Sequence, residues 1–213
     1  MTFDPRTTAL LAIDMQRDFL DPQGYAALAG LDISLLQAAI PGVAKLLAAA
    51  REAGIFIVHT REANAPDLCD VPPEFLDATT RSGARVGTAG PLGRLLIRGE
   101  AGTAIIDELA PLPHEVAIDK PGFSAFEGTA LGAMLQMRGI RTLILCGITT
   151  EVCVSSTLRT AVDRGFRCIT VRDACASAFP ELHAAALAMI GVEGGLFGQI
   201  ASVQEVCALL AAR

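Results

Sequence analysis

Residues 141–173, RTLILCGITTEVCVSSTLRTAVDRGFRCITVRD, decide the fold. RTLILCG (141–147) is apolar on both faces and reads as a strand. A turn follows, then EVCVSSTLRTAVDRG (151–165), a helix closed by Gly165, and FRCITVRD (166–173), a second strand. Strands without polar alternation belong to a parallel sheet covered by helices on both sides. Strand, helix, strand in this order is the unit from which such sheets are wound.

The same alternation extends in both directions. TALLAIDM (8–15), IFIVHT (55–60) and HEVAIDK (114–120) read as strands, and LFGQIAS (196–202) as a short sixth. Helices are predicted over 33–54, interrupted near Pro41-Gly42, and over 126–139, 180–195 and 202–212. The prediction is one domain, residues 1–213, with a three-layer α/β/α architecture and a doubly wound, mainly parallel sheet of about six strands. Residues 61–100 are polar and rich in Pro, Gly and Arg. They read as a long loop acting as a lid or interface element.

Composition narrows the functional classes. Net charge is −6 with no basic cluster, which argues against nucleic acid or an anionic membrane as partner. No apolar run reaches the ~18 residues of a membrane span. The N-terminus has no basic region or small-residue cleavage site of a signal peptide, so a cytoplasmic location is expected. Apolar residues make up 52% of the chain against 19% charged, and with the long loop this suggests a homo-oligomer whose subunits hide apolar surface. Six cysteines show no C-x-x-C, and the three histidines lie far apart in sequence. No metal or other cofactor is expected.

In a doubly wound sheet, ligands bind beyond the carboxyl ends of the strands. Three such ends carry reactive candidates: Asp14, Lys120 and, just past the 141–147 strand, Cys153. A thiol in the first turn of a helix, with Thr149 or Thr150 as N-cap, meets free N–H groups and the positive end of the dipole. A nearby Lys120 ammonium lowers its pKa further. Asp14 can take the thiol proton and deliver it to a leaving amine, and backbone N–H groups of the turn can hold an oxyanion. Blander roles stay open on the residues alone. Asp14 can cap a turn, Lys120 can sit in solvent, and Cys153 can fill the core.

Three stretches, AIDMQRDF (12–19), DKPGFSAF (119–126) and GITTEVCVSSTLRTAVDRGF (147–166), together resemble the isochorismatase-like cysteine hydrolases. The resemblance implies a catalytic Asp14, Lys120 and Cys153. It also implies a cis peptide at Ile148–Thr149 and an oxyanion hole from the N–H groups of Thr149 and Cys153. HTREANAPDL (59–68), GRLLIRGEAG (93–102) and GGLFG (194–198) are most similar to the biuret hydrolase branch. The implied activity is hydrolysis of a small ureido substrate (biuret, triuret, guanylurea or ureidoacrylate), with no metal and a tetramer as the implied assembly. Substrate-binding residues are expected at Phe19, Arg61, Glu62, Asn64 and Glu193. Glu193 stands where biuret hydrolases carry glutamine. By the sequence it closes the helix 180–193, where a carboxylate opposes the helix dipole.

Overall fold

The structure is a computed structural model and describes residues 4–212. Six parallel strands, β1 (Thr8–Ile13), β2 (Phe56–Glu62), β3 (Val116–Lys120), β4 (Thr142–Ile148), β5 (Arg167–Ala176) and β6 (Gln199–Ala201), form one sheet in the order β3-β2-β1-β4-β5-β6. The chain steps outward from β1 through β2 to β3, crosses to the other side of β1, and steps outward again through β4, β5 and β6. The reversal falls between β1 and β4. In an open α/β sheet, ligands bind in the crevice at that point.

Among the described residues, the α-helices of five or more residues are α1 (Ile33–Gln37), α2 (Ile40–Ala53), α3 (Pro73–Arg81), α4 (Leu131–Met137), α5 (Ser155–Asp163), α6 (Pro180–Ile190) and α7 (Val203–Ala211). All six residues of β1 are buried. Leu10 and Ala12 join Val43, Leu46 and Leu47 of α2 and Val206 and Leu210 of α7. Ala9, Leu11 and Ile13 pack on the other side with Leu131 and Leu135 of α4, Leu158 of α5 and Ile190 of α6. Each buried leucine or isoleucine stabilises this arrangement by about 1.5–3 kcal/mol, which is why the strands read as apolar on both faces.

The predicted helix 33–54 is two helices, and the break comes at residues 38–39, ahead of Pro41. Proline without an N–H suits the first turn of α2 rather than its interior. Residues 33–53 have the length and apolarity of a membrane span, yet the apolar side of α2 packs against the sheet and α7. The predicted helix 126–139 shortens to α4. Thr129 Oγ1 accepts from Leu131 N at its start, and Ala125 N is held by Thr157 Oγ1 of α5.

Residues 61–100 are not a structureless loop. β2 runs on to Glu62, α3 forms, and a small antiparallel pair joins 89–90 to 93–94. Val86, Leu96 and Ile97 are buried with Phe75, Leu76 and Phe19 as a core of their own. The buried carboxylate of Asp18 ties this segment to the sheet by accepting from Leu96 N at 2.9 Å and Tyr25 N at 3.3 Å.

Gly147 has φ 115, and a Cβ there would overlap Ile13 O. Only glycine lets β1 and β4 approach so closely, immediately before the two turns that carry Asp14 and Cys153.

Candidate active site

Glu62 and Lys120 are the last residues of β2 and β3, and they face each other in register. Asp14 follows β1 with φ 53, its N–H donating to Thr60 O. Cys153 follows β4 after the Ile148–Thr149 peptide, which is cis as the resemblance implies. Val154 N donates to Thr149 O, five residues back, so the turn is wider than an α-helix before α5 begins. Such wide turns recur at functional sites. Four adjacent strands thus deliver four reactive side chains to one end of the sheet.

The four meet around the ammonium. Lys120 Nζ lies 2.8 Å from Asp14 Oδ2, 3.5 Å from Cys153 Sγ and 3.7 Å from Glu62 Oε2. It also donates to Gly122 O at 2.7 Å. Cys153 Sγ donates to Glu62 Oε2 at 3.6 Å, and Thr60 Oγ1 donates to Asp14 Oδ1 at 2.6 Å. Asp14 and Lys120 are fully buried and Cys153 is 5% exposed. The ligand atoms of Asp14, Glu62 and Cys153 lie within 4.8 Å of one another, a grouping fit for a cation. The Lys120 ammonium already supplies that charge among them.

Burial sets the proton positions. It pushes the Cys153 thiol well above its usual range; Lys120 pulls the other way, while Asp14 and Glu62 add to the rise. Lys120 does lower the thiol as expected, but burial outweighs it, so the net fall expected from the helix start and Lys120 is not found. The sulfur is dry, and two carboxylates outnumber one ammonium. Burial would also lower Lys120, but Asp14, then Cys153 and Glu62, hold it above the ordinary lysine value. Burial raises Glu62 to about 7, with Lys120 opposing and Asp14 and Asp18 assisting. The thiol thus keeps its proton beside the Asp14–Lys120 ion pair and a carboxyl raised to about 7.

Of the predicted substrate-binding residues, only Glu62 touches the thiol. Arg61, on the other face of β2, donates to Asp119 Oδ1 at 2.7 Å. Asn64 is buried and donates from Nδ2 to Leu96 O at 3.0 Å, leaving its Oδ1 without a partner. Phe19 packs edge-on against Tyr25 with ring centres 6.0 Å apart. Glu193 does not close a helix, because α6 ends at Ile190. It is exposed in a short turn, with φ 51. The acid is there compatible with a left-handed turn, so opposition to the helix dipole no longer applies.

His183, Ser177, Glu151 and Gln16 support the site and escaped the sequence reading. Thr149 occupies the N-cap position without a side-chain cap bond. The hydroxyl of Thr150 instead pairs with His183 Nδ1 of α6 at 2.8 Å, and Glu151 accepts from Ser177 Oγ at 2.9 Å. These bonds moor the Cys153 turn to α6 and to the end of β5. Gln16 is buried and bonds both backbone groups of Glu62, accepting from N at 2.7 Å and donating to O at 3.0 Å. Its place two residues after Asp14 in AIDMQRDF was the available signal.

Comparison with known proteins identifies the family of this chain. Residues 8–205 match the model of the isochorismatase domain. A cysteine hydrolase from Pseudomonas syringae pv. phaseolicola is 26% identical, with 99% of this chain and 95% of that one covered and a TM-score of 0.83. An isochorismatase family protein from Desulfovibrio vulgaris is 27% identical, with 97% and 99% covered and a TM-score of 0.79. N-carbamoylsarcosine amidase from Thermoplasma acidophilum, at 24% identity over 92% and 96% with a TM-score of 0.70, shares the fold. With the domain matched over nearly its whole length and a buried cysteine at the switch point of the sheet, this chain belongs to the isochorismatase family and has the fold of its cysteine hydrolases.

Proposed function

We propose that the protein is a cysteine-dependent amidohydrolase that cleaves a C–N bond of a small linear ureido compound of the biuret, triuret or guanylurea class. The observation that carries the reading is a buried thiol within 3.6 Å of both an ammonium and a carboxylate, at the end of the sheet where ligands bind. Cys153 attacks the carbonyl carbon while its proton passes to a carboxylate of the site. The oxyanion is met by the N–H groups of Thr149 and Cys153. As the C–N bond breaks the leaving nitrogen is protonated, and water then hydrolyses the thiol ester. A site with two carboxylates and one ammonium is rich in acceptors. It suits a substrate rich in N–H groups, since an unpaired polar group costs about 1–3 kcal/mol on burial.

Ammonia release is the test, measured with biuret, triuret, guanylurea, ureidoacrylate and nicotinamide. Turnover of one or more of the first three is expected. Release from nicotinamide alone would make the protein a carboxamide amidase instead. Release from none, with an unreactive Cys153, would make it a binding module. Within this reading Glu193 takes part in substrate recognition. Ionised glutamate only accepts, and pairs best with a guanidinium-like end. Glu193→Gln is expected to lower kcat/KM for the preferred substrate at least ~10-fold, about 1.4 kcal/mol, and to favour biuret relatively. Identical kinetics across the panel would remove Glu193 from the site.

The same reading includes assembly from copies of this chain, with a tetramer as the expected form. Phe179, Leu182, Met189, Val192 and Leu196, on α6 and its flanks, are 43–58% exposed. A cluster of this kind marks a contact surface, and α6 also holds the Cys153 turn through His183. Light scattering at micromolar concentration is expected to give a multiple of the 22.2 kDa chain mass. A stable monomer would overturn the assembly.

A further inference from the structure

We infer that Phe75 and Phe123 gate the route to Cys153 and limit the size of the molecule that reaches it, an inference that rests on Cys153 being the nucleophile of the reading above. The thiol is 5% exposed, and Asp14 and Lys120 are fully buried. An attacking sulfur has to touch its substrate, so part of the cover over it must move. Two segments lead away from the cluster at the ends of β2 and β3. One is the loop after β3. There Gly122 O accepts from the Lys120 ammonium at 2.7 Å, and the next residue, Phe123, is 43% exposed. The other is the segment after Glu62, which carries α3. Phe75 of α3 meets Phe123 edge-on, with ring centres 5.1 Å apart. This contact bridges the two segments beside the thiol cluster.

Segment 61–100 divides into a fixed base and a loosely held tip. The base is pinned to the sheet. Leu96 N donates to Asp18 Oδ2 at 2.9 Å, Asn64 N donates to Leu96 O at 2.9 Å, and Arg98 Nε lies 3.3 Å from Asp119 Oδ2 of β3. The tip is α3. Thr79 is its one buried residue, Phe75 and Leu76 are half-buried, and the other six are exposed. Just past its end, Ser82 Oγ meets Tyr25 Oη at a long 3.4 Å. Leu68 and Gly83, with φ 61 and 99, bracket the helix. An element with so few buried contacts belongs to the easily opened part of a fold, and lids of this kind pivot on a few loop positions. The ring pair is the latch. When it parts, α3 moves off the 121–125 loop and the sulfur is reached from that side. A compact, flat molecule needs the smallest displacement, as a short linear ureido compound would. A substrate bearing an aromatic or branched substituent is turned away.

The experiment compares alkylation of Cys153 by iodoacetamide and by its bulkier N-phenyl analogue, at one pH above neutrality, in wild type, Phe75→Ala, Phe123→Ala and Phe123→Tyr. Labelled cysteines are resolved by mass spectrometry, and folding is checked by circular dichroism. Exposed Cys69 is the internal reference, since its access does not depend on the gate. In wild type the N-phenyl reagent is expected to lag at Cys153 far more than at Cys69. Each alanine variant is expected to raise the bulky-to-small rate ratio at Cys153 at least ~3-fold, the scale of one lost ring contact, with the ratio at Cys69 unchanged. Phe123→Tyr keeps the ring and is expected to keep the wild-type ratio. Where an alanine variant does not fold, Phe75→Leu takes its place: it keeps apolar bulk on Val86, Leu96 and Ile97 but has no ring. An unchanged ratio at Cys153 in the ring-less variants overturns the gate, as does a Cys153 that neither reagent labels in them. Equal gains at buried Cys146 and Cys168 would mean general loosening and overturn it too. Labelling needs no turnover, so failure of the gate is distinct from failure of the substrate panel.

Discussion

Cys153→Ser is expected to reduce ammonia release at least ~10³-fold while leaving the fold intact, since a serine hydroxyl lacks the nucleophilicity on which the covalent step depends. The sulfur lies among Lys120, Glu62 and the backbone of its own turn, and oxygen in its place alters no packing contact of size. Cys146 is the control. It is buried on β4 and faces α2 on the other side of the sheet, with Sγ donating to Leu11 O at 3.5 Å. Cys146→Ser is expected to retain turnover and to lose some stability. Loss of turnover in folded Cys146→Ser, or retention in Cys153→Ser, would move the nucleophile elsewhere. Burial of the thiol adds a second readout. Alkylation of Cys153 is expected to be slow at neutral pH and to accelerate as pH rises, whereas exposed Cys69 reacts without regard to the site. Fast alkylation of Cys153 near pH 6 would show a thiolate where the surroundings favour a thiol.

The sequence carried the sheet well because each central strand is buried on both faces, and that demand fills β1 and β4 with apolar side chains. The ends of those strands were legible for the same reason: Asp14, Lys120 and Cys153 stand out where an apolar run stops. Residues 61–100 were harder. The core of that segment is only Val86, Leu96, Ile97 and their neighbours, and its anchor is the distant carboxylate of Asp18. A contact of that kind leaves no local period. Glu62 shows the same difficulty at the site. Its type and place at a strand end were visible, but its register with Lys120 and its reach to Cys153 depend on β2 and β3 pairing across 58 positions. The thiol was misjudged because helix-start arguments count local groups, whereas the deciding factors were desolvation and a second carboxylate brought in by the sheet.

Lys120→Met is expected to be the most damaging substitution for stability, with a pH signature that identifies its cause. The side chain is fully buried, and methionine is of similar length, so the change is mainly one of charge. Removing one partner of a buried ion pair costs about 3–5 kcal/mol, because the charge left behind has no compensation. Here two carboxylates are left, Asp14 at 2.8 Å and Glu62 at 3.7 Å from the lost ammonium. The sign follows from linkage. Glu62 is raised from 4.5 to about 7 even with Lys120 present, and without it the folded state binds protons at this site more tightly still. A carboxyl raised in the folded state contributes stability that is fully present below its unfolded pKa and is lost as pH rises through the folded value. Lys120→Met is therefore expected to approach wild-type stability near pH 4–5 and to fall furthest behind above pH 7. Urea denaturation at intervals between those limits measures the difference. Adding Glu62→Gln to Lys120→Met removes one of the two stranded charges and is expected to recover part of the loss at high pH while leaving the low-pH value nearly unchanged. A deficit that is constant with pH would mean that packing of the lysine stem, and not its charge, holds this end of the sheet together.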